Sequence, residues 1–412
     1  MKKIDRLIFH VDVNSAFLSW TAVNMLKKGG IDLREIPSCI GGDPKSRTGI
    51  VVAKSIPAKK YGVTTGEPMA MALRKCPELV SAPADFNLYV KYSKAFKKIC
   101  NEYTAAMESF SIDEVFLDMT GMGRIYPDPI KTAHEIKDRI YSELGFTVNV
   151  GIGENKLLAK MASDFEKPDK VHTLFFSEIK EKMWPLSVGE LFTCGKASAN
   201  KLKTLGINTI GELAKADLAL LVRLLGDNQG KHLKAFANGI DDEPVNDEKA
   251  AAKGYSAETT VENNLEDLDS IDMMLLAQAD VVAARMRAED AKCRCISVIF
   301  RTIDFKNKSH QRKLYDATDI TDTIYEVARE LIRESWQGEP IRLIGLSLSD
   351  ISRDDYCQMS LFGDERREKM KKLDKALDSI RGRFGDESVQ RASTTSISKR
   401  VNRKHRAEQN IE

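Results

Sequence analysis

Leu7-Ile8-Phe9-His10-Val11-Asp12-Val13-Asn14 and, about a hundred residues further on, Phe110-Ser111-Ile112-Asp113-Glu114-Val115-Phe116-Leu117-Asp118 are the two stretches from which the fold of this chain is read. In the first, a short apolar run stops at an aspartate. In the second, apolar and polar residues alternate with two acids at the centre. Both patterns predict β-strands that present carboxylate. Asp12, Asp113 and Glu114 gathered in a half-buried sheet would repel one another unless cations sat among them. Hard oxygen donors of this kind suit Mg²⁺. Two such ions can clamp the attacking and leaving oxygens of a phosphoryl transfer. Two-metal chemistry on a nucleotide is therefore the first reading. The plainer one is a strand that ends in a solvated Asp and an Asp-Glu pair in a turn.

Working outward, 412 residues are enough for several domains. No apolar stretch approaches the ~20 residues of a membrane span. The N-terminal apolar run is broken by Asp12 and Asn14, so it does not read as a signal peptide. Seven cysteines are scattered along the chain; only Cys293 and Cys295 lie close together, which is no zinc spacing. A reducing, cytoplasmic setting without a disulfide framework is expected. The net charge of +2 says little about partners. Basic residues do cluster, over Lys91–Lys98, Lys196–Lys203, Lys292–Lys313 and the far C-terminus.

Residues 1–18 read as a strand and the start of a helix, and 19–85 as a mixed segment with Gly-rich turns. Asn87–Met107 reads as a helix, Pro129–Leu144 as an amphipathic helix, Phe146–Gly153 as a strand and Asn155–Asp164 as a helix. This β–α–β–β–α–β order predicts an α+β sandwich with helices on one sheet face. Residues 177–242 read as short helices without strands, and 241–253 as a charged linker. Over 254–350 strands and helices mix again: Lys292–Arg301 and Ile341–Leu348 as strands, Thr321–Trp336 as a helix. A helix over 364–384 and a Ser/Thr/Lys/Arg-rich tail follow.

Further signatures stand beside the acidic strands: His10-Val11-Asp12-Val13-Asn14-Ser15-Ala16-Phe17, Ala58-Lys59-Lys60-Tyr61-Gly62-Val63, Ala159-Lys160-Met161-Ala162-Ser163-Asp164 and Lys167-Pro168. In this order and spacing, over residues 1–350, the chain resembles the Y-family (translesion) DNA polymerases of the bacterial DNA polymerase IV and UmuC-like group. The resemblance implies an α+β multidomain right hand: a palm from 1–18 and 86–176, small fingers from 19–85, an all-α helix-hairpin-helix thumb from 177–242, a linker over 243–253 and an α+β little finger over 254–350. Residues 351–412 would hold a clamp-binding peptide, a helix and a basic tail.

What the resemblance implies about the site follows residue by residue. Two Mg²⁺ ions would be held by Asp12, Asp113, Glu114 and the backbone carbonyl of Val13, the three carboxylates being the catalytic residues. Asn14, Ser15, Ala16, Phe17, Val52, Ile56, Lys59 and Lys167 would bind the deoxynucleoside triphosphate. Phe17 would act as a steric gate against a 2′-hydroxyl, Lys59 and Lys167 would contact the triphosphate, and Val52 would roof the templating base. The pattern departs from many relatives at Asn14 (often Asp), Ala16 (often aromatic), Ile56 (often Tyr) and Lys59 (often Arg). Leu191–Leu202 resembles a helix-hairpin-helix that grips a DNA phosphate, with Gly195, Lys196 and Lys201 as contacts and Thr193 where the first hairpin glycine usually stands. Lys292, Arg294 and Arg301 would track phosphates. Gln358, Leu361 and Phe362 resemble the bacterial sliding-clamp peptide.

The expected activity is low-fidelity, template-directed DNA synthesis by a monomer on primer-template DNA, in partnership with the sliding clamp. One alternative is a non-catalytic, polymerase-like accessory protein that binds DNA and clamp; the retained carboxylates weigh against it. Another is a nucleotide cyclase with a palm-like fold, suggested by Gly41-Gly42-Asp43. That triplet lies far from the acidic strand, and a hairpin thumb and clamp peptide would have no purpose there.

Overall fold

The computed structural model describes residues 6–43, 49–248, 251–354, 365–386 and 388–394. The chain divides into two compact units, the first running to Lys249 and the second from Ala250. Among the described residues no helix is long and apolar enough to cross a membrane.

In the first unit, β1 (Ile8–Val13) leads into α1 (Ala16–Lys27). A small region follows: β2 (Ser38–Gly41), β3 (Val51–Lys54), α2 (Ile56–Lys60), α3 (Met69–Lys75) and β4 (Val80–Ala82). The chain then returns through α4 (Phe86–Asn101), β5 (Met107–Ser109), β6 (Glu114–Asp118), α5 (Pro129–Leu144), β7 (Val148–Gly153), α6 (Lys156–Asp164) and β8 (Val171–Leu174). A helical region closes the unit with α7 (Lys196–Thr204), α8 (Ile210–Lys215), α9 (Leu218–Leu225) and α10 (Asp227–Ala237).

The main sheet has the order β5-β6-β1-β7-β8, so the first strand of the chain lies at its centre. Every residue of β1 and of β7 is buried, as a strand covered on both faces requires. Phe9, Val11, Val115, Leu117, Val150 and Ile152 point to one core, shared with Trp20, Phe96, Ile136 and Phe146 of or beside α1, α4 and α5. Each such side chain, fully buried, contributes about 1.5–3 kcal/mol. The opposite face carries His10, Asp12, Glu114, Asn149 and Gly151, and α6 lies over it, closest at Gly151 and Gly153. The far side of α6 enters the core of the helical region through Leu157, Leu158 and Met161. The sheet thus has helices on both faces, not one as the sequence predicts. The physical reason is the pair of glycines in β7, which lets α6 close over the face that carries His10 and Asp12 and leaves every residue of β1 buried.

Local chemistry explains several boundaries. Asp128 accepts from the Lys131 N–H ahead of α5, Pro129 occupies its first turn, and Gly145, at φ 85°, ends it. Asn155 caps α6 by accepting from Leu158 N–H at 2.9 Å, and it donates to Gly239 O. Other boundaries differ from expectation. The helix expected to reach Met107 stops at Asn101, and Met107–Ser109 pairs with β6 as an antiparallel strand. Glu114 therefore opens β6 and Asp113 stands in the bend just before it; the acids are not at the centre of a long strand. The division expected at residue 18 falls inside α1, which runs unbroken past it.

The second unit contains β9 (Tyr255–Leu265), α11 (Leu268–Ala288), β10 (Lys292–Thr302), β11 (Asn307–Thr318), α12 (Thr321–Ser335), β12 (Ile341–Ser352) and α13 (Glu365–Phe384). Its four antiparallel strands are ordered β11-β10-β12-β9. Ile296, Val298, Phe300, Ile344 and Leu346 pack on α11 and α12. By the pleat, the other face presents Ser256, Ser347, Ser297 and Gln311 as one row across all four strands. β12 continues past residue 350, where the domain was expected to end, and β9, α11 and β11 were not individually legible. α13 is docked largely by ion pairs: Arg287 binds Asp378 at 2.7 Å and Asp374 at 3.3 Å, and Arg381 binds Asp280 at 2.6 Å.

Candidate active site

The site is built on the register of three strands. Asp12 lies directly opposite Glu114 across β1–β6 and opposite Asn149 across β1–β7. The Asp113 carbonyl accepts from Val13 N–H at 3.0 Å, which fixes the two acidic segments to each other. Like charges placed directly opposite in a sheet repel. The chain answers with lysines from α6 and the loop after it. Lys160 Nζ donates to Glu114 Oε1 at 2.8 Å and lies 3.6 Å from Asp12 Oδ2 and 3.5 Å from Asp164. Lys167 Nζ donates to Asp12 Oδ2 at 2.6 Å and pairs with Asp164 at 2.8 Å. Asp113 Oδ1 accepts from Ser111 Oγ at 2.7 Å.

Electrostatics separates the acids. Burial is the main influence on Asp113, and with Asp12 and Glu114 nearby it raises the carboxyl above its usual range. For Glu114 burial acts upward too, but His10 and Lys160 outweigh it and hold the carboxyl down at about 2. Of those two, Lys160 has hydrogen-bond geometry. His10 Nε2 stands 3.7 Å from Glu114 Oε2, too far for a hydrogen bond. Burial opposes the charge of Lys160, yet Asp12 and Glu114 raise its pKa above the ordinary lysine value. The fully buried His10 is held by Ser163 Oγ at 2.8 Å from Nδ1, while Nε2 has no partner.

Asn14, Ser15, Ala16, Phe17, Val52, Ile56, Lys59, Asp113 and Lys167 line a single cleft of about 440 Å³. These are eight residues expected at a nucleotide site together with one of the expected catalytic acids. Ser15 takes the left-handed conformation (φ 47°) between β1 and α1, and α1 starts without a side-chain cap. Phe17 is half-buried: its ring stacks on Tyr89 at 4.6 Å and meets Trp20 edge-on, while it also borders the cleft. One ring thus packs into the core and borders the cleft at the same time. Ile56 and Lys59 sit one turn apart on α2, whose cap Ser55 accepts from Ala58 N–H. Asn14 is committed structurally: it donates to Asn149 Oδ1 at 3.0 Å and accepts from Asp169 N–H at 2.9 Å.

The donor set of three carboxylates beside a strand carbonyl suits a hard divalent cation. Among the described residues no three His, Cys, Asp or Glu side chains are gathered as a closed ligand set. Their oxygens are turned to Lys160, Lys167 and Ser111 instead. Sequence reasoning passed over Lys160 and His10. The signal for both was available: two glycines in β7 call for a closely packed helix, and every second residue of β1 must then face it.

Gly195, Lys196 and Lys201 lie exposed at and on α7. No atom lies within 4 Å of where a Cβ on Gly195 would stand, so its backbone is open to approach. Thr193 takes the left-handed conformation that a glycine adopts freely (φ 70°), and its hydroxyl is held by His232 Nε2 at 2.9 Å. In the second unit, Arg294 is exposed and Lys292 partly so, and Arg301 Nε donates to Asn307 at 2.6 Å. Gln358, Leu361 and Phe362 lie outside the described residues.

The profile of the impB/mucB/samB family matches residues 11–164, and that of its C-terminal domain matches residues 252–361. DNA polymerase IV of Clostridium acetobutylicum is 46% identical over 390 residues, covering 94% of this chain and 98% of that protein. DNA polymerase IV of Acetivibrio thermocellus is 37% identical, covering 94% and 96%. DNA polymerase IV 2 of Bacillus subtilis is 36% identical, covering 95% of each. A solved Y-family DNA polymerase chimera superposes with a TM-score of 0.74 at 24% identity, covering 84% of this chain and all of the other.

Proposed function

Because this chain belongs to the impB/mucB/samB family and is a Y-family, DNA-directed DNA polymerase, we propose that it extends primers past damaged template bases with low fidelity, using Asp12, Asp113 and Glu114 as its catalytic carboxylates. The observation that carries this reading is the pairing of Asp12 with Glu114 across β1–β6, beside a cleft lined by Asp113, Phe17, Lys59 and Lys167. The three carboxylates and the Val13 carbonyl would hold divalent cations, with Mg²⁺ the ion that suits such donors. Two such ions, when bound, supply a lowered pKa at the primer 3′-hydroxyl and offset the charge of the departing pyrophosphate.

The chain's own residues do the rest. Lys59 and Lys167 present ammonium groups to the triphosphate, and the uncapped start of α1 offers N–H groups to the same oxygens. The Phe17 ring, braced by Tyr89, leaves no room for a 2′-hydroxyl. Val52 gives a small roof to the templating base. Selection then rests mainly on base pairing, which is the physical basis of low fidelity.

We assign the main sheet to a palm, residues 19–85 to fingers and 177–242 to a thumb whose Gly195, Lys196 and Lys201 meet a DNA phosphate. The second unit acts as the little finger. Its row of Ser256, Ser347, Ser297 and Gln311, with Lys292, Arg294 and Arg301, suits a sequence-blind grip on phosphates. Gln358, Leu361 and Phe362 would engage the sliding clamp of a polymerase that is itself monomeric.

The test is extension of a primed template with Mg²⁺ and deoxynucleotides. Asp113→Ala and Glu114→Gln should each lose at least about 100-fold in rate while DNA binding persists. Normal extension by Asp113→Ala would refute the assignment.

A further inference from the structure

Asp12 and Glu114 are already paired with cations that belong to the chain. Lys160 sits in the middle of α6 with its side chain only 10% exposed and three carboxylates around it. Lys167 is different: it follows the end of α6, its side chain is 37% exposed, and it lines the cleft itself. Its ammonium is 2.6 Å from Asp12 Oδ2 and 2.8 Å from Asp164 Oδ1. An ion bound to Asp12 through that oxygen would stand against the ammonium, and two cations in contact repel strongly wherever water is scarce.

We propose that Lys167 is an internal competitor for the divalent cation, seated on Asp12 in the nucleotide-free protein and drawn off it by the phosphate oxygens of an incoming triphosphate. This rests on the reading of Asp12, Asp113 and Glu114 as cation ligands given above. A lysine ammonium on a flexible stem can change partners within one cleft without moving the backbone. The coupling is reciprocal by linkage: whatever removes Lys167 from Asp12 tightens the cation there, and a cation at Asp12 frees Lys167 for phosphate. The carboxylate site of the nucleotide-free protein is thereby kept neutralised and weak for cations, and completes itself when substrate arrives. Lys160, buried and held by three partners, stays as the fixed counter-charge to Glu114.

The experiment measures Mn²⁺ binding to the full chain, without DNA or nucleotide, from the paramagnetic resonance of the free ion. Wild type, Lys167→Met, Lys170→Met and Asp113→Asn are compared. Lys167→Met should bind Mn²⁺ about fivefold more tightly or better. Lys170→Met removes the same charge nearby, from a lysine paired with Glu166 at 3.6 Å, and should leave the affinity unchanged. Equal or weaker binding by Lys167→Met would overturn the proposal, as would equal tightening in both lysine variants. Asp113→Asn should weaken binding. If it does so while Lys167→Met matches wild type, the ligand reading stands and only the competition falls. If Asp113→Asn has no effect, the ion is bound elsewhere, and the ligand reading and this proposal fall together.

Discussion

Gly151→Ala is a single-methyl test of how the site is assembled. A Cβ on Gly151 would lie 2.0 Å from the Ala159 carbonyl oxygen and 2.4 Å from the Ser163 nitrogen. Both are backbone atoms of α6, so no rotamer change relieves the contact, and the helix must withdraw from β7 by more than about 1 Å. Gly151 has no positive φ, so the cost is steric alone. Overpacking that side chains can absorb costs about 1–3 kcal/mol. With backbone on both sides the upper end applies, and about 3 kcal/mol lowers the melting temperature of a unit this size by about 6–12 °C. Scanning calorimetry suits the test because the second unit serves as an internal reference. Withdrawal of α6 also carries Lys160 from Glu114 and Ser163 from His10, so primer extension should fall at temperatures where the variant is still folded. A first-unit transition within about 1 °C of wild type would refute the argument that α6 is fixed by contact with a bare strand.

Two further substitutions probe other parts of the molecule. Phe17→Ala should admit ribonucleotides at least about tenfold more readily, measured as the ratio of ribo- to deoxynucleotide incorporation, and should cost about 2 kcal/mol of stability from the lost stack on Tyr89; an unchanged ratio would leave the ring as core alone. Asp374→Ala removes a buried carboxylate that accepts from Thr321 N–H at 2.9 Å and faces Arg287. It should cost about 2 kcal/mol and lower the second transition by about 4–8 °C, and an unmoved transition would show that α13 adds nothing to that unit.

The sequence was most legible where local chemistry sets the structure. Asp128, Pro129 and Gly145 bracket α5 as capping rules predict, and Asn155 does the same for α6. The cleft residues came from the family resemblance, since nothing about Val52, Ile56 or Lys59 taken singly marks them. Less was legible where tertiary packing decides. Nothing in the helical pattern after Asn87 signals that Met107–Ser109 leaves it, because a three-residue strand has no period of its own. Lys160 was legible only as a member of a signature, with no role of its own. Its role follows from the approach of α6 to Gly151 and Gly153, and that contact joins segments separated in sequence. Thr193 was noted as standing where the first hairpin glycine usually does, but its left-handed conformation and its hydrogen bond to His232 were not foreseen.

The Asn14–Asn149 contact links the identities of two positions far apart in the chain. Asn149 already gives both of its amide protons away, to Ser163 O at 3.0 Å and Glu166 O at 2.7 Å, and accepts from Asn14 with its oxygen. An aspartate at position 14 would set a carboxylate against that oxygen, and turning the amide over would strand two carbonyls of the α6 end. Drift at the two sites is therefore constrained jointly. A lineage that acquires Asp at position 14 needs, at position 149, a side chain such as a hydroxyl that can donate to it.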